Sequence, residues 1–242
     1  MTDLAGWTLG AHTAGGVTHP TYRKGAGPGV VLIHEIPGIT PKVLAFADKV
    51  VAAGYTVVLP HLFGEPGAPM TLGQVAKVMP RLCVNHEFTK LALHKTAPVA
   101  DWLRSLARQL HGEVGGPGVG ALGMCFTGGF ALAMMVDESV AAPVVAQPSL
   151  PFAIGRKRAA DLNLSPDDLA AVRRRAAAGC AVLGLRYRKD GAVGTRFDTL
   201  RHELGDAFVA VEIEGKGHST LTEHRDEAAV ERVLTFFGER LR

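Results

Sequence analysis

Two short, continuous apolar runs, Gly29-Val-Val-Leu-Ile-His34 and Tyr55-Thr-Val-Val-Leu59, flank a stretch with helical spacing from Pro41 to Ala53. Successive side chains on a strand point to opposite sides of the sheet, so a strand that is apolar at every position is buried on both faces. Two such strands joined through a helix imply parallel neighbours and a right-handed crossover. The helix between them is punctuated by Thr40 as N-cap, Pro41 at the first helical position and Gly54 as the stop. The pattern recurs downstream. Ala97 to Leu110, Gly128 to Val136, Thr195 to Leu204 and Glu227 to Leu241 read as helices; Gly118 to Met124, Val144 to Gln147, Cys180 to Leu185 and Ala207 to Ile213 read as strands. This alternation predicts an open, mostly parallel α/β sheet with helices on both faces.

A chain of 242 residues suits one large sheet of this kind, so a single domain is expected. Two segments interrupt the alternation. Residues 64–95 read as irregular, a candidate lid. Residues 151–179 form an irregular or helical excursion, in which Ser165-Pro-Asp-Asp168 has the make-up of an N-cap followed by an acidic first turn.

Composition narrows the function classes. The formal charge is only +3, and its densest cluster, Arg173, Arg174 and Arg175, reads as a solvated helix face, which argues against nucleic acid as a partner. The chain has no apolar run of about 18 residues, and Met1 to Gly10 has neither a basic start nor an apolar stretch. Neither a membrane span nor a signal peptide is expected, and a cytoplasmic enzyme fits. The histidines show no ligand spacing such as His-Glu-x-x-His, so no metal is expected. Gly118-Val-Gly-Ala-Leu-Gly123 matches a dinucleotide fingerprint in letters only, because its glycines precede and enter a strand where the fingerprint needs them opening a helix. No cofactor is implied. Cys83, Cys125 and Cys180 are odd in number and widely spaced, which gives neither a disulfide framework nor a zinc pattern; Cys83 and Cys180 read as ordinary thiols.

Cys125 differs by its context. Gly123-Met-Cys-Phe-Thr-Gly-Gly129 stands between a strand and a small-residue helix, where a nucleophile elbow sits. The helix N-terminus favours a thiolate, and the following amides offer donors to an oxyanion. A lone cysteine also reads as a small buried hydrophobe, and what separates Cys125 from that reading is the rest of the chain. Asp190 follows the strand ending near Tyr187, and His218 lies in the loop Gly215-Lys-Gly-His-Ser219 after the next strand. Nucleophile, acid and histidine fall in the order of an α/β-hydrolase, each beyond the C-terminal end of a strand, where such sheets bind ligands. Asp198 is the rival acid but falls inside a predicted helix; His224 is the rival histidine, further along the closing segment. Glu35 ends an apolar strand, a costly place for a carboxylate without a partner. It reads either as a functional group or as a structural partner for His34 or a backbone amide. His34 itself reads as a hydrogen-bonded packing residue.

On Val31-Leu-Ile-His-Glu-Ile-Pro-Gly38, on Ala53-Gly-Tyr-Thr-Val-Val-Leu-Pro-His-Leu-Phe-Gly64, on the Gly-x-Cys elbow and on the aspartate and histidine segments, the chain resembles the dienelactone hydrolase family. The resemblance runs from about Gly29 to the C-terminus and is weakest over Pro151 to Gly179. It implies a small-molecule lactone or ester substrate, opened through a cysteinyl acyl-enzyme. It makes Cys125 the nucleophile, His218 the general base and acid, and Asp190 the group that orients the imidazole. Glu35 corresponds to a family glutamate near the resting thiol, and the amides of Ile36 and Phe126 to the oxyanion hole. The chain departs from the family pattern at three positions: Thr127 stands where the elbow usually has glycine, His61 where aspartate is common, and Thr222 in the region of a substrate-carboxylate arginine. Arg81 is a candidate carboxylate partner from the irregular segment, with solvated surface the favoured reading. A non-catalytic binding protein, or a thioesterase or acyltransferase on the same fold, are the rival readings.

Overall fold

The computed structural model describes residues 4–84, 88 and 92–242, with backbone alone for 81–84. Strands β1 (Thr8–Ala14), β2 (Val17–Lys24), β3 (Gly29–Ile33), β4 (Thr56–Pro60), β5 (Val119–Met124), β6 (Val140–Ala146), β7 (Val182–Tyr187) and β8 (Phe208–Ile213) form one sheet in the order β1-β2-β4-β3-β5-β6-β7-β8. Pairs β1–β2 and β2–β4 are antiparallel, and every later pair is parallel. The helices are α1 (Pro41–Ala52), α2 (Leu72–Val84), α3 (Val99–Val114), α4 (Gly128–Met134), α5 (Gly155–Ala160), α6 (Pro166–Ala177), α7 (Arg196–Leu204) and α8 (Glu227–Leu241).

The period-two logic of the apolar runs is visible in the core. On β3, Val30 and Leu32 face a cluster containing Phe46 of α1 and Phe236 and Phe237 of α8. Val31 and Ile33 face the opposite cluster, with Leu103 of α3, Phe130 of α4 and Phe197 of α7. A continuous apolar strand is what a sheet coated on both sides requires. Among the described residues no helix is long and apolar enough to cross a membrane.

The structure adds elements that the sequence reading left out. The hairpin β1–β2 turns at Gly15-Gly16, whose φ values of +58° and +79° are open to glycine at no steric cost. Its strands are half exposed and carry no continuous apolar run, so the two glycines are the local signal for it. Part of the segment expected to be irregular is α2. The excursion holds α5 and α6, and Ser165 caps α6 by accepting from the Asp168 amide at 3.2 Å.

His34, the first residue past β3, is fully buried. Its Nε2 accepts from the Leu62 amide at 3.2 Å, so the proton sits on Nδ1 and is donated to the Glu35 carbonyl at 3.1 Å. Burial drives its pKa down to about 3, outweighing the Glu35 carbonyl bond. It is a neutral packing histidine. Unfolding frees it to titrate at about 6.5, so stability is unaffected above that pH. Stability then falls as pH drops toward 3, by about 1.4 kcal/mol per pH unit. Unfolding free energies from urea titrations of wild type and His34→Gln, measured from pH 7 to pH 4, should differ in slope by that amount; parallel curves would contradict the assignment.

Candidate active site

Parallel register sets the site. Ile33 of β3 pairs with Gly123 of β5, so Ile36 and Phe126 each lie three residues beyond a matched pair on neighbouring strands. Met124 pairs with Ala146 of β6, and Tyr187 of β7 pairs with Ile213 of β8. The loops after these five strands carry Glu35 and Ile36, Cys125, Ser149, Asp190 and His218 along one edge of the sheet. A surface cavity of about 630 Å³ lies elsewhere, between the β1–β2 turn and the start of α3, and none of these residues lines it.

Cys125 occupies the left-handed backbone region at φ +54° and is partly exposed. This geometry costs a non-glycine residue about 1–2 kcal/mol and turns the side chain out of the core at the top of the strand. The turn is tight because β5 and the elbow nearly touch: a Cβ built on Gly123 would lie 2.2 Å from the Thr127 carbonyl oxygen. Thr127 itself has φ −95° and ψ 0°, a conformation with no demand for glycine. Its buried hydroxyl accepts from the Met124 amide at 3.0 Å. It shares its one proton among the carbonyls of Met124, Ile33 and His34 at 3.0–3.2 Å. The departure from the family pattern therefore ties the elbow to the end of β3. Phe126, next to Cys125, packs against Phe63, Phe88, Phe130 and Phe152. It is the second residue of a one-turn 3-10 helix, where an amide has no intrahelical acceptor.

His218 Nδ1–H donates to Asp190 Oδ2 at 2.7 Å. The Asp190 side chain is 5 % exposed and also accepts from the Ala192 amide at 3.0 Å, which aims the carboxylate. The Cys125 thiol acts on the same imidazole and favours its protonated form. Burial opposes protonation of His218, but the hydrogen bond to Asp190, the contact with Cys125 and the charges of both raise its pKa to about 10. The rival residues play other parts. Asp198 is exposed on α7 beside Arg201, and exposed His224 braces the loop by accepting the His218 amide on Nδ1 at 3.4 Å.

Glu35 is 2 % exposed, with Oε2 accepting from Ser219 at 2.7 Å and Oε1 from Thr222. Burial pushes its carboxyl above the usual range, against the pull of the Thr222 and Ser219 hydroxyls. Both hydroxyls belong to the His218 loop, so the glutamate anchors that loop, and Thr222 has a partner in place of a substrate. His61, for which the sequence suggested no role, bonds the Gly64 carbonyl through Nε2 at 3.1 Å. The backbone of Arg81 lies in α2; its side chain, like that of Cys83, is outside the described residues.

Two residues of the site were not singled out from sequence. Ser149 Oγ lies 3.4 Å from Cys125 Sγ. Arg196 is fully buried and donates to the carbonyls of Pro151, Arg158, Asp161, Ala192 and Val193. Burial lowers its pKa to about 10, partly offset by Asp161, which leaves it cationic at neutral pH. Five carbonyl dipoles thus hold the loop beyond Asp190 against the segment beyond Ser149. No sequence period marks either residue, since each acts through backbone brought close by the fold.

Thr127→Val deletes the hydroxyl but keeps the shape, leaving the buried Met124 amide without its acceptor. It should cost about 1–3 kcal/mol in urea unfolding, while Thr127→Ser stays within about 1 kcal/mol of wild type. Equal losses in the two variants would contradict the role given to the hydroxyl.

The family model described as "Dienelactone hydrolase family" matches residues 15–241. Among solved structures, the dienelactone hydrolase from Anabaena variabilis is 17% identical, with 98% of each chain covered and a TM-score of 0.68. The alpha/beta hydrolase GrgF from Penicillium sp. is 13% identical, with 97% of this chain and 99% of that chain covered and a TM-score of 0.69. The thioesterase domain from the curacin biosynthetic pathway is 11% identical, with 94% and 99% covered and a TM-score of 0.60. No curated protein matches the sequence significantly. At these identities the structures establish a shared fold, and the family match adds membership: this chain belongs to the dienelactone hydrolase family and is a hydrolase of the α/β-hydrolase fold.

Proposed function

We propose that the protein opens a lactone or cleaves a small carboxylic ester through a cysteinyl acyl-enzyme. Cys125 is the nucleophile, His218 the general base and acid, and Asp190 the carboxylate that orients the imidazole. One observation carries the reading: a thiol on a left-handed turn shares the sheet edge with an imidazole tied to a buried carboxylate at 2.7 Å, and that thiol favours protonation of the ring. Nucleophile, base and orienting group are the parts that acyl transfer needs.

The proposed steps use each of these groups in turn. The thiol proton moves to His218 Nε2, and the thiolate attacks the carbonyl carbon, forming the C–S bond and displacing the π pair onto oxygen. The amides of Ile36 and Phe126 receive that oxyanion, each donor contributing roughly 3–4 kcal/mol. Collapse breaks the C–O bond, and the alkoxide takes the proton from His218; in a lactone it remains part of the acyl chain. Water then gives a proton to His218 and attacks the thioester. The second collapse releases the acid and expels the thiolate, which takes the proton back from His218. Asp190 holds the imidazole in the tautomer both halves use, and Glu35 steadies its loop through Ser219 and Thr222. A thiolate is expelled more readily than an amide nitrogen, so strained lactones and activated esters are favoured over amides.

A panel of small lactones, aryl esters, acyl thioesters and anilides tests chemistry and class together. Lactones or esters should be turned over and anilides left intact. Cys125→Ala and His218→Asn should each lower kcat/KM by on the order of 10⁴-fold or more, with thermal midpoints near wild type. Full activity in Cys125→Ala overturns the proposal, and preferential cleavage of the thioesters would move the assignment to a thioesterase.

A further inference from the structure

Among the described residues, the Ser149 hydroxyl, from another loop, reaches the Cys125 sulfur at 3.4 Å, on the sheet edge that also carries His218. Ser149 is buried, with 6% of its surface exposed. A buried hydroxyl is expected to be hydrogen-bonded, and the sulfur is the partner described for this one. A second contact fixes the pairing, because the Ser149 amide donates to the Cys125 carbonyl at 3.0 Å. The register Met124 to Ala146 brings the two residues together just beyond their strands. Glu35, which the family resemblance set beside the resting thiol, has both carboxylate oxygens occupied by Ser219 and Thr222.

We infer that Ser149 is a further catalytic residue: its hydroxyl donates a hydrogen bond to the sulfur of Cys125 whenever that sulfur carries negative charge. The inference rests on the thiol chemistry proposed above and extends it. Once the thiol proton has moved to His218, Ser149 keeps its own proton and points it at the anion. A bond from a neutral hydroxyl to a charged acceptor is worth more than one between neutral groups, and a carboxylate in the same place would repel the thiolate. Acylation removes the charge and weakens the bond. Expulsion of the thiolate at the end of deacylation restores it, so Ser149 assists both the arming of the nucleophile and its departure.

The test is the pH dependence of iodoacetamide alkylation, read on the Cys125 peptide, in the full-length wild type, Ser149→Ala and Ser149→Thr, together with kcat and KM on the best ester of the panel. Ser149→Ala should move the alkylation midpoint up by about one pH unit, the size of one charged hydrogen bond. It should lower kcat at neutral pH about tenfold and leave KM within about twofold. Ser149→Thr, which keeps the hydroxyl, should recover most of the midpoint shift. An unchanged midpoint in Ser149→Ala, with only a lowered thermal midpoint, would overturn the inference while leaving the Cys125 reading intact. A wild-type Cys125 that alkylates only at the pH of an ordinary exposed thiol would instead overturn the nucleophile assignment itself.

Discussion

Cys125 is held at φ +54° where β5 passes into α4, and the neighbouring structure is shaped by the need to keep it there. A side chain in this backbone region is strained, and strain persists only where the surroundings over-determine it. Here they do so from three directions. Gly123 lets the elbow fold back to within contact of the strand. The Thr127 hydroxyl bonds the elbow to the ends of β3 and β5. The aromatic cluster around Phe126 closes the space beneath. Release any one and the sulfur loses its fixed position over the sheet edge.

The remaining parts of the site are loops, and each is tied down by a buried polar group. Glu35 grips the His218 loop through two hydroxyls. Arg196 joins the loop beyond Asp190 to the chain beyond Ser149 through five carbonyls. These groups are expensive to desolvate and would be poor choices for stability alone. Their effect is positional: they fix the loops that carry sulfur, imidazole and carboxylate, on whose spacing the proposed acyl transfer depends.

The strands β3 to β8 were legible because a sheet covered on both faces demands unbroken apolar runs, and Gly29 to Ile33 is such a run. The elbow was legible because close approach demands small residues around Cys125, and the order of Cys125, Asp190 and His218 carried the rest. What escaped was tertiary. The β1–β2 hairpin is half exposed, so its pattern blurs. Thr127 looked like an obstacle because its hydroxyl partners lie about 90 residues away in sequence, at Ile33 and His34. Glu35 carried a resemblance to a thiol-facing glutamate, whereas its partners here lie 184 and 187 residues downstream. Ser149 and Arg196 sit in loops without periodicity, where only the folded register reveals what they touch.

The central claim is a covalent bond to one sulfur. The most direct measurement is mass spectrometry of the wild-type protein, acid-quenched within its first turnovers on an activated ester. The account predicts a mass increase equal to the acyl group, located on the Cys125 peptide and removed by neutral hydroxylamine as a thioester is. Sustained turnover with an unmodified Cys125 throughout, or an acyl group on a different residue, would contradict it.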